Sequence, residues 1–195
     1  MIRSATPTVF LLAVLLLCPP ASATSMLKVD LPELAQSAEV IVHGTVRRME
    51  SRWSGDGRLI VTDVEIQVTE SLKGQAGNTL LVIQPGGSVG DIGQKVSGLA
   101  SFAPNEEVVV FLRRRGPGSY QVTAMAQGKY KVMRTEGGTR ALAVPESTSE
   151  LLLLDATTHA PTESSRRELP LAELKAAIRT ALEQPAPARV PGKAR

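Results

Sequence analysis

Few residues of this sequence have the types and spacing that catalysis or metal binding require. The two histidines, His43 and His159, lie far apart, and neither has a second ligand-type residue at a metal-binding spacing. No nucleophile-elbow motif surrounds any serine. His43 falls within a predicted strand, at an outer or rim position, and Asp63 and Glu65 alternate on the wet face of another strand. We therefore predict no catalytic residue, no metal site and no cofactor, and interpret the protein as a non-enzyme.

A glycine-rich stretch, Pro-Gly-Gly-Ser-Val-Gly-Asp-Ile-Gly at 85–93, is the first candidate binding feature. It follows a predicted strand, and glycine amides can cradle anions. No helical pattern and no Gly-Lys-Ser/Thr ending follow it, so we do not expect a nucleotide site. Up to residue 98 we predict a loop without structure of its own, either crossing the end of a barrel or binding a partner. The candidate binding residues in this loop are Gly86, Gly87, Gly90 and Asp91.

Two further candidate sites are a lone tryptophan and a run of arginines. Trp53 is the only tryptophan and precedes a predicted hairpin turn, where it would be a binding anchor if exposed and a barrel cap if buried. Arg113, Arg114 and Arg115 could hold an anionic surface. Charged residues at the end of a strand also prevent edge-to-edge pairing, and we favour that interpretation. The net charge of +3 is too weak and dispersed to predict nucleic-acid binding.

The N-terminus reads as a signal peptide. Arg3 is followed by the apolar run 9–17 and by an Ala-Ser-Ala cleavage pattern that predicts cleavage after Ala23. The apolar run is too short to span a membrane, so we expect an exported protein that is periplasmic, secreted or on the cell surface. Cys18, the only cysteine, would be removed with this peptide unless it were lipidated, and Leu17 stands where lipidation favours a small residue. The mature chain then has no disulfide and depends on burial for its stability.

The pattern of the following chain is that of a β-protein. A hairpin with long arms is predicted over 39–72, because apolar side chains alternate with polar ones along 60–70 and a Ser-Gly-Asp-Gly turn lies between the arms. Further short strands are predicted near 79–84, 107–112, 120–124, 127–133 and 140–144. The sequence therefore predicts a small barrel of five to seven strands, preceded by a short helix near 30–38.

The last quarter of the chain differs in composition. We predict a polar linker over 146–168, an amphipathic helix over 169–184 and a disordered, basic, proline-rich tail over 185–195. The helix carries an apolar stripe that should pack on its own core, formed by Leu171, Leu174, Ile178 and Leu182. The predicted organisation is thus a signal peptide (1–23), a barrel domain (24–145), the linker, the helix and the tail.

Several of these segments resemble one known family in their order. The motif Ser37-Ala38-Glu39 precedes the strand Val-Ile-Val-His-Gly-Thr-Val, the long strand ends in Ser-Leu-Lys-Gly at 71–74, and 104–112 forms a later strand. Together they resemble the netrin/tissue-inhibitor-of-metalloproteinase-like domains and a group of exported bacterial proteins of unknown function. The resemblance, over roughly residues 31–132, implies a five-stranded OB-fold barrel and a protein-binding or protease-inhibiting role. The animal inhibitors place an N-terminal cysteine on the protease zinc, so their mechanism does not carry over to a cysteine-free mature chain.

The sequence thus favours an exported, non-enzymatic module that binds another exported protein, with a protease as one candidate partner. A structural component of the cell envelope and an enzyme of unrecognised type are the alternatives. An exposed Trp53 beside an ordered glycine loop would favour the first, self-association the second, and a pocket that gathers His43 with two carboxylates the third.

Overall fold

The computed structural model describes residues 24–135, 137–138 and 140–184. The predicted signal peptide, with Cys18, and the predicted basic tail lie outside the described residues. The helices are α1 (Leu31–Ser37) and α2 (Leu171–Glu183), and a 3₁₀ turn spans Met125–Gly128. The strands are β1 (Thr24–Leu27), β2 (Val40–Trp53), β3 (Ile60–Lys73), β4 (Thr79–Pro85), β5 (Gly87–Val89), β6 (Ile92–Gln94), β7 (Glu107–Gly116), β8 (Ser119–Val122), β9 (Lys129–Arg134), β10 (Ala141–Pro145), β11 (Leu151–Leu154) and β12 (Leu169–Pro170).

The predicted long hairpin is confirmed and is the longest strand pair of the described chain. β2 and β3 pair antiparallel from Ile41↔Lys73 to Trp53↔Ile60, with three register irregularities. The turn between them is closed where Ser54 N donates to Leu59 O at 2.7 Å. Along β3 the side chains of Ile60, Val64 and Ile66 are buried, as their period of two requires.

Five strands close into a ring, which confirms the mainly β fold with an OB-like barrel. β2, β3 and β4 form an antiparallel meander, and β7 pairs antiparallel with both β2 and β8. The ring closes where β4 meets β8 in parallel over two residue pairs, Leu81↔Ser119 and Val82↔Tyr120. β9 also pairs with β7, and β10 and β12 continue the sheet beyond β9. The principal sheet therefore has eight strands.

The continuously apolar sequence of β7 has a simple explanation. Val108, Val110 and Leu112 face the barrel core, whereas Val109 and Phe111 face a second core on the outside of the sheet. The same alternation occurs in β2, where Val40 and Val42 point inward and Ile41 points outward. A strand that is covered on both faces needs apolar residues at every position.

Both helices form the cover of this outer face. Leu34 and Ala35 of α1 pack with the α2 stripe, in which Leu171, Leu174 and Ile178 are buried. The prediction that the C-terminal stripe packs on its own domain is therefore confirmed. Within the described residues no helix is long and apolar enough to cross a membrane.

The segment between β10 and α2 contributes a strand. Leu151–Leu154 forms β11, which pairs in parallel with β1 so that Thr24 lies opposite Leu151. Leu151 and Leu153 point inward with Ala126 to form a small third core, and Leu152 points to solvent.

Candidate functional site

A groove of about 650 Å³ opens at the end of the barrel where the β2–β3 hairpin extends beyond its pairing with β7. Its floor includes Met49, Thr62 and Val64 from the hairpin. Its walls come from four segments of chain, 84–88, 93–96, 98–102 and residues between 146 and 150. Mouths of β-barrels are common positions for binding sites, and this volume is within the range of ligand pockets.

The glycine-rich stretch builds one wall of this groove, and the prediction that it lacks structure of its own is wrong. It folds into a two-stranded hairpin, β5–β6, with Gly87 opposite Gln94 and Val89 opposite Ile92. The hairpin is tied to β3, because Ile60 N donates to Gln94 Oε1 at 2.8 Å. Side-chain hydrogen bonds of this kind are not visible in strand patterns, which explains the incorrect prediction.

Gly86 and Gly87 both have a positive φ and close neighbours where a β-carbon would lie, which favours glycine at each position. Gly86 N donates to Ile60 O at 2.8 Å, and Gly86 O accepts from Thr62 Oγ1 at 2.7 Å. Gly87 has a φ of +129° and lies so close to the hydroxyls of Ser51 and Thr62 that a β-carbon would overlap with them. Both residues line the groove, but the Gly86 amide is already bonded and does not form an anion cradle.

The other two candidates in this loop, Gly90 and Asp91, form the exposed turn of the β5–β6 hairpin. Gly90 has a φ of +58° and open space around it. Neither residue lines the groove, so the sequence grouped four residues that the structure separates into a groove-lining base and an exposed tip.

Trp53 lies at the end of β2 with 41% of its surface exposed. Leu59, at the other end of the same turn, is 47% exposed, and Ile92 at the tip of β5–β6 is 55% exposed. Gly87 packs against Ser51, so the two hairpins that carry these three side chains are in contact. Three large apolar side chains are thus presented on neighbouring, hydrogen-bonded hairpins beside the groove.

The polar groups of the groove are largely bonded to each other. Gln84 Nε2 donates to Ala100 O at 2.8 Å. Lys95 pairs with Glu150 across the opening, and this ion pair, with the amide of Gly98, lowers the pKa of Glu150. Both partners are largely exposed, so water screens the pair strongly.

A buried ionic cluster that the sequence did not predict adjoins the groove, whose lining includes Glu146. Lys129 is fully buried, and its Nζ lies 2.9 Å from Glu106 Oε1 and 2.9 Å from Glu146 Oε2. Burial alone would raise the pKa of Glu146, but hydrogen bonds from Ser101 and Lys129 outweigh it and lower that pKa. Along β9, Lys129 has the same parity as the exposed Lys131, so no pattern in the sequence indicated its burial.

The three arginines are exposed at the end of β7 but do not form one site. Arg114 pairs with Glu39 at 3.6 Å and stacks over Tyr120, and Arg115 Nη1 donates to Ile83 O on β4. These contacts lie near the closure of the barrel between β4 and β8. They are consistent with the interpretation of the arginines as a charged strand end, and the structure places them away from the groove lining.

His43 faces outward from the barrel, as expected, but α2 covers it, so that it is only 4% exposed. Its Nε2 lies 2.7 Å from Glu107 Oε1 and its Nδ1 lies 3.1 Å from Lys175 Nζ. The Lys175 ammonium in turn donates to Glu70 at 2.6 Å. Hydrogen bonds from Lys175 and Arg179 lower the pKa of Glu70, and bonds from Arg134 and His43 lower that of Glu107.

This charged chain brings His43 near two carboxylates, but outside the groove. The groove does not include His43, which lies beneath α2 on the outer face of the sheet. Within the part of the chain that the structure describes, no three His, Cys, Asp or Glu residues are grouped so as to hold a metal ion.

Comparisons with known proteins did not identify a family for this chain. Neither a search against protein-family models nor a search of curated proteins found a match for this chain.

Proposed function

We propose that this protein is an exported binding module that captures another exported protein through the groove and the apolar hairpin tips beside it. The observation that carries the proposal is the exposure of Trp53 on a rigid hairpin next to the ordered β5–β6 hairpin. The N-terminal sequence, with its apolar run and Ala-Ser-Ala pattern, supports export.

Desolvation of exposed apolar side chains would drive this binding. Exposed Trp53, Leu59 and Ile92 lose unfavourable contact with water when a partner covers them. Tryptophan is enriched among the residues that dominate binding energy, and such anchors work best beside a concavity that a partner can fill. Because both hairpins are held by backbone and side-chain hydrogen bonds, little conformational entropy is lost on binding.

The resemblance to netrin/tissue-inhibitor-of-metalloproteinase-like domains makes an exported protease the first partner class to test. Inhibition by a cysteine on a catalytic zinc is not part of this proposal, since the predicted mature chain has none. Occlusion of the protease by the hairpin tips would be the mechanism instead.

The experiment is a crosslinking capture from the exported proteins of the host, quantified by mass spectrometry. The bait is the purified protein, compared with Trp53→Ala and with the matched control Met133→Ala, which removes another exposed apolar side chain on β9. We expect a partner that wild type and the control enrich equally and that Trp53→Ala loses. With the purified partner, Trp53→Ala should raise Kd by at least about tenfold.

Equal capture by all three baits would contradict the proposed surface. Recovery of the bait crosslinked only to itself would favour a self-assembling envelope component instead. The enzyme alternative gains no support from His43, because its burial beneath α2 keeps substrates away from the imidazole.

A further inference from the structure

We propose that Lys129 and Glu106 condense into an intramolecular amide, with Glu146 as the proton acceptor. The three side chains meet beside the groove, where the Lys129 side chain is 0%, Glu106 8% and Glu146 15% exposed. The Lys129 ammonium lies 2.9 and 3.0 Å from the two carboxylate oxygens of Glu106. This modification is independent of the proposed binding function.

The surroundings favour the neutral product over the ion pair. Lys129 Nζ lies 4.9 Å from the centre of the Phe102 ring, and its side chain has no contact with solvent. Keeping the Lys129 ammonium and the Glu106 carboxylate away from water carries a desolvation cost, and condensation removes both of these charges, while the Glu146 carboxylate keeps its hydrogen bonds from Ser101. Two groups held in contact also react with a very high effective concentration.

The hydrogen bonds assign a role to each oxygen. Ala103 N donates to Glu106 Oε2 at 3.1 Å, so this oxygen can carry the developing negative charge and remain as the amide carbonyl. Glu106 Oε1 is then the leaving oxygen. Glu146 Oε2, 2.9 Å from Nζ, is placed to accept a proton from the amine, and Ser101 Oγ holds its other oxygen at 2.6 Å.

The step balances without any further reactant. One proton passes from the Lys129 ammonium to Oε1 of the Glu106 carboxylate, which leaves a neutral amine and a carboxylic acid. The amine nitrogen forms a bond to Cδ of Glu106, the bond from Cδ to Oε1 breaks, and Glu146 transfers a second amine proton to the departing oxygen. The products are an amide and one water molecule, and Glu146 returns to its starting state.

The product would fasten the start of β9 to the residue that precedes β7, which are 23 positions apart in sequence. A covalent link of this kind restricts the unfolded chain as a disulfide does, in a protein whose predicted mature form has no cysteine.

The test is mass spectrometry of the folded, full-length protein after denaturation and tryptic digestion. We expect a branched peptide in which 96–113 is joined to 116–131 through Lys129, lighter than the two separate peptides by one water molecule. Trypsin should leave the chain intact after Lys129, because an acylated lysine is not a cleavage site. The ion pair of Lys175 with Glu70 is shorter, at 2.6 Å, but more exposed, so it is the internal control and should yield no branched peptide.

Two variants define the roles of the residues. Glu146→Gln should keep the circular dichroism spectrum of the wild type and lower the yield of branched peptide at least about tenfold. Lys129→Arg keeps the cation but has no nucleophilic amine, so its digest should contain separate peptides only. Wild-type protein whose chain shows no loss of one water molecule and whose digest contains no branched peptide would overturn the proposal, whether or not the variants fold.

Discussion

The imidazole of His43 on β2 and the ammonium of Lys175 on α2 lie 3.1 Å apart, from Nδ1 to Nζ. An ammonium can only donate, so Nδ1 accepts and the proton of the neutral ring is on Nε2, which donates to Glu107 at 2.7 Å. This contact fixes the tautomer of the ring. It also joins α2 to the barrel by polar bonds beside the apolar stripe of the helix.

The carboxylates around this contact should make the protein sensitive to acid. Hydrogen bonds from Lys175 to Glu70 and from Arg134 to Glu107 lower the folded-state pKa of each carboxyl below 4.5. Their stabilising effect is therefore complete above pH 4.5 and is lost as the pH falls through the lower, folded-state values. We expect urea unfolding at pH 3 to show a lower free energy of unfolding than at pH 6, by on the order of 1 kcal/mol, because the Glu70 side chain is 35% exposed and water screens its ion pairs.

Glu107→Gln provides the control for this pH dependence. The amide that this substitution introduces cannot ionise. The variant should therefore be less stable than the wild type at pH 6, and it should lose less stability than the wild type between pH 6 and pH 3. If the free energy of unfolding fell equally with pH in the two proteins, Glu107 would not contribute to the acid sensitivity.

The docking of α2 should depend mainly on its buried stripe. Leu174 is fully buried among residues of both helices and the outer face of the sheet, so Leu174→Ala should lower the free energy of unfolding by about 2–5 kcal/mol. Leu152→Ala truncates the same side chain at a position that is 42% exposed and should change stability by less than about 1 kcal/mol. Chemical denaturation of both variants measures the difference, and similar losses would contradict the packing of α2.

The β5–β6 hairpin should tolerate substitution at its tip and not at its base. Gly87→Ala places a methyl group against Ser51 and Thr62 in a backbone conformation that suits glycine, so a loss of about 2–4 kcal/mol is expected. Gly90 also has a positive φ, but open space surrounds it. Gly90→Ala should therefore lower the free energy of unfolding by only about 1–2 kcal/mol. Thermal melts of the pair isolate the steric contribution. A larger loss for the tip variant would mean that Gly87 is not enclosed.

The register of β3 gives a further prediction. Val64 is 1% exposed in the barrel core, and Val64→Asp would bury a charge there and should unfold the domain. Glu65, the next residue, points to the other face, and Glu65→Lys should be nearly silent in a thermal melt. Equal effects of the two substitutions would contradict the register.

Much of the fold could be predicted from local patterns. The period of two along β3 and the Ser-Gly-Asp-Gly turn placed the long hairpin, because these signals depend only on residues close in sequence. The stripe of Leu171, Leu174 and Ile178 likewise placed α2 and its buried face.

Other features were decided only by the tertiary structure. The barrel closes through two parallel pairs between β4 and β8, and β1 finds β11 more than a hundred residues later, so no local pattern encodes either contact. The burial of Lys129 likewise could not be predicted from the sequence. A lysine reads as a solvent-facing residue in any strand pattern, and its position became clear only when the fold brought Glu106 and Glu146 within hydrogen-bonding distance of its ammonium. Sequence periodicity specifies the face of the sheet on which a side chain lies. Which residues contact that side chain depends on packing between segments that are far apart in the sequence.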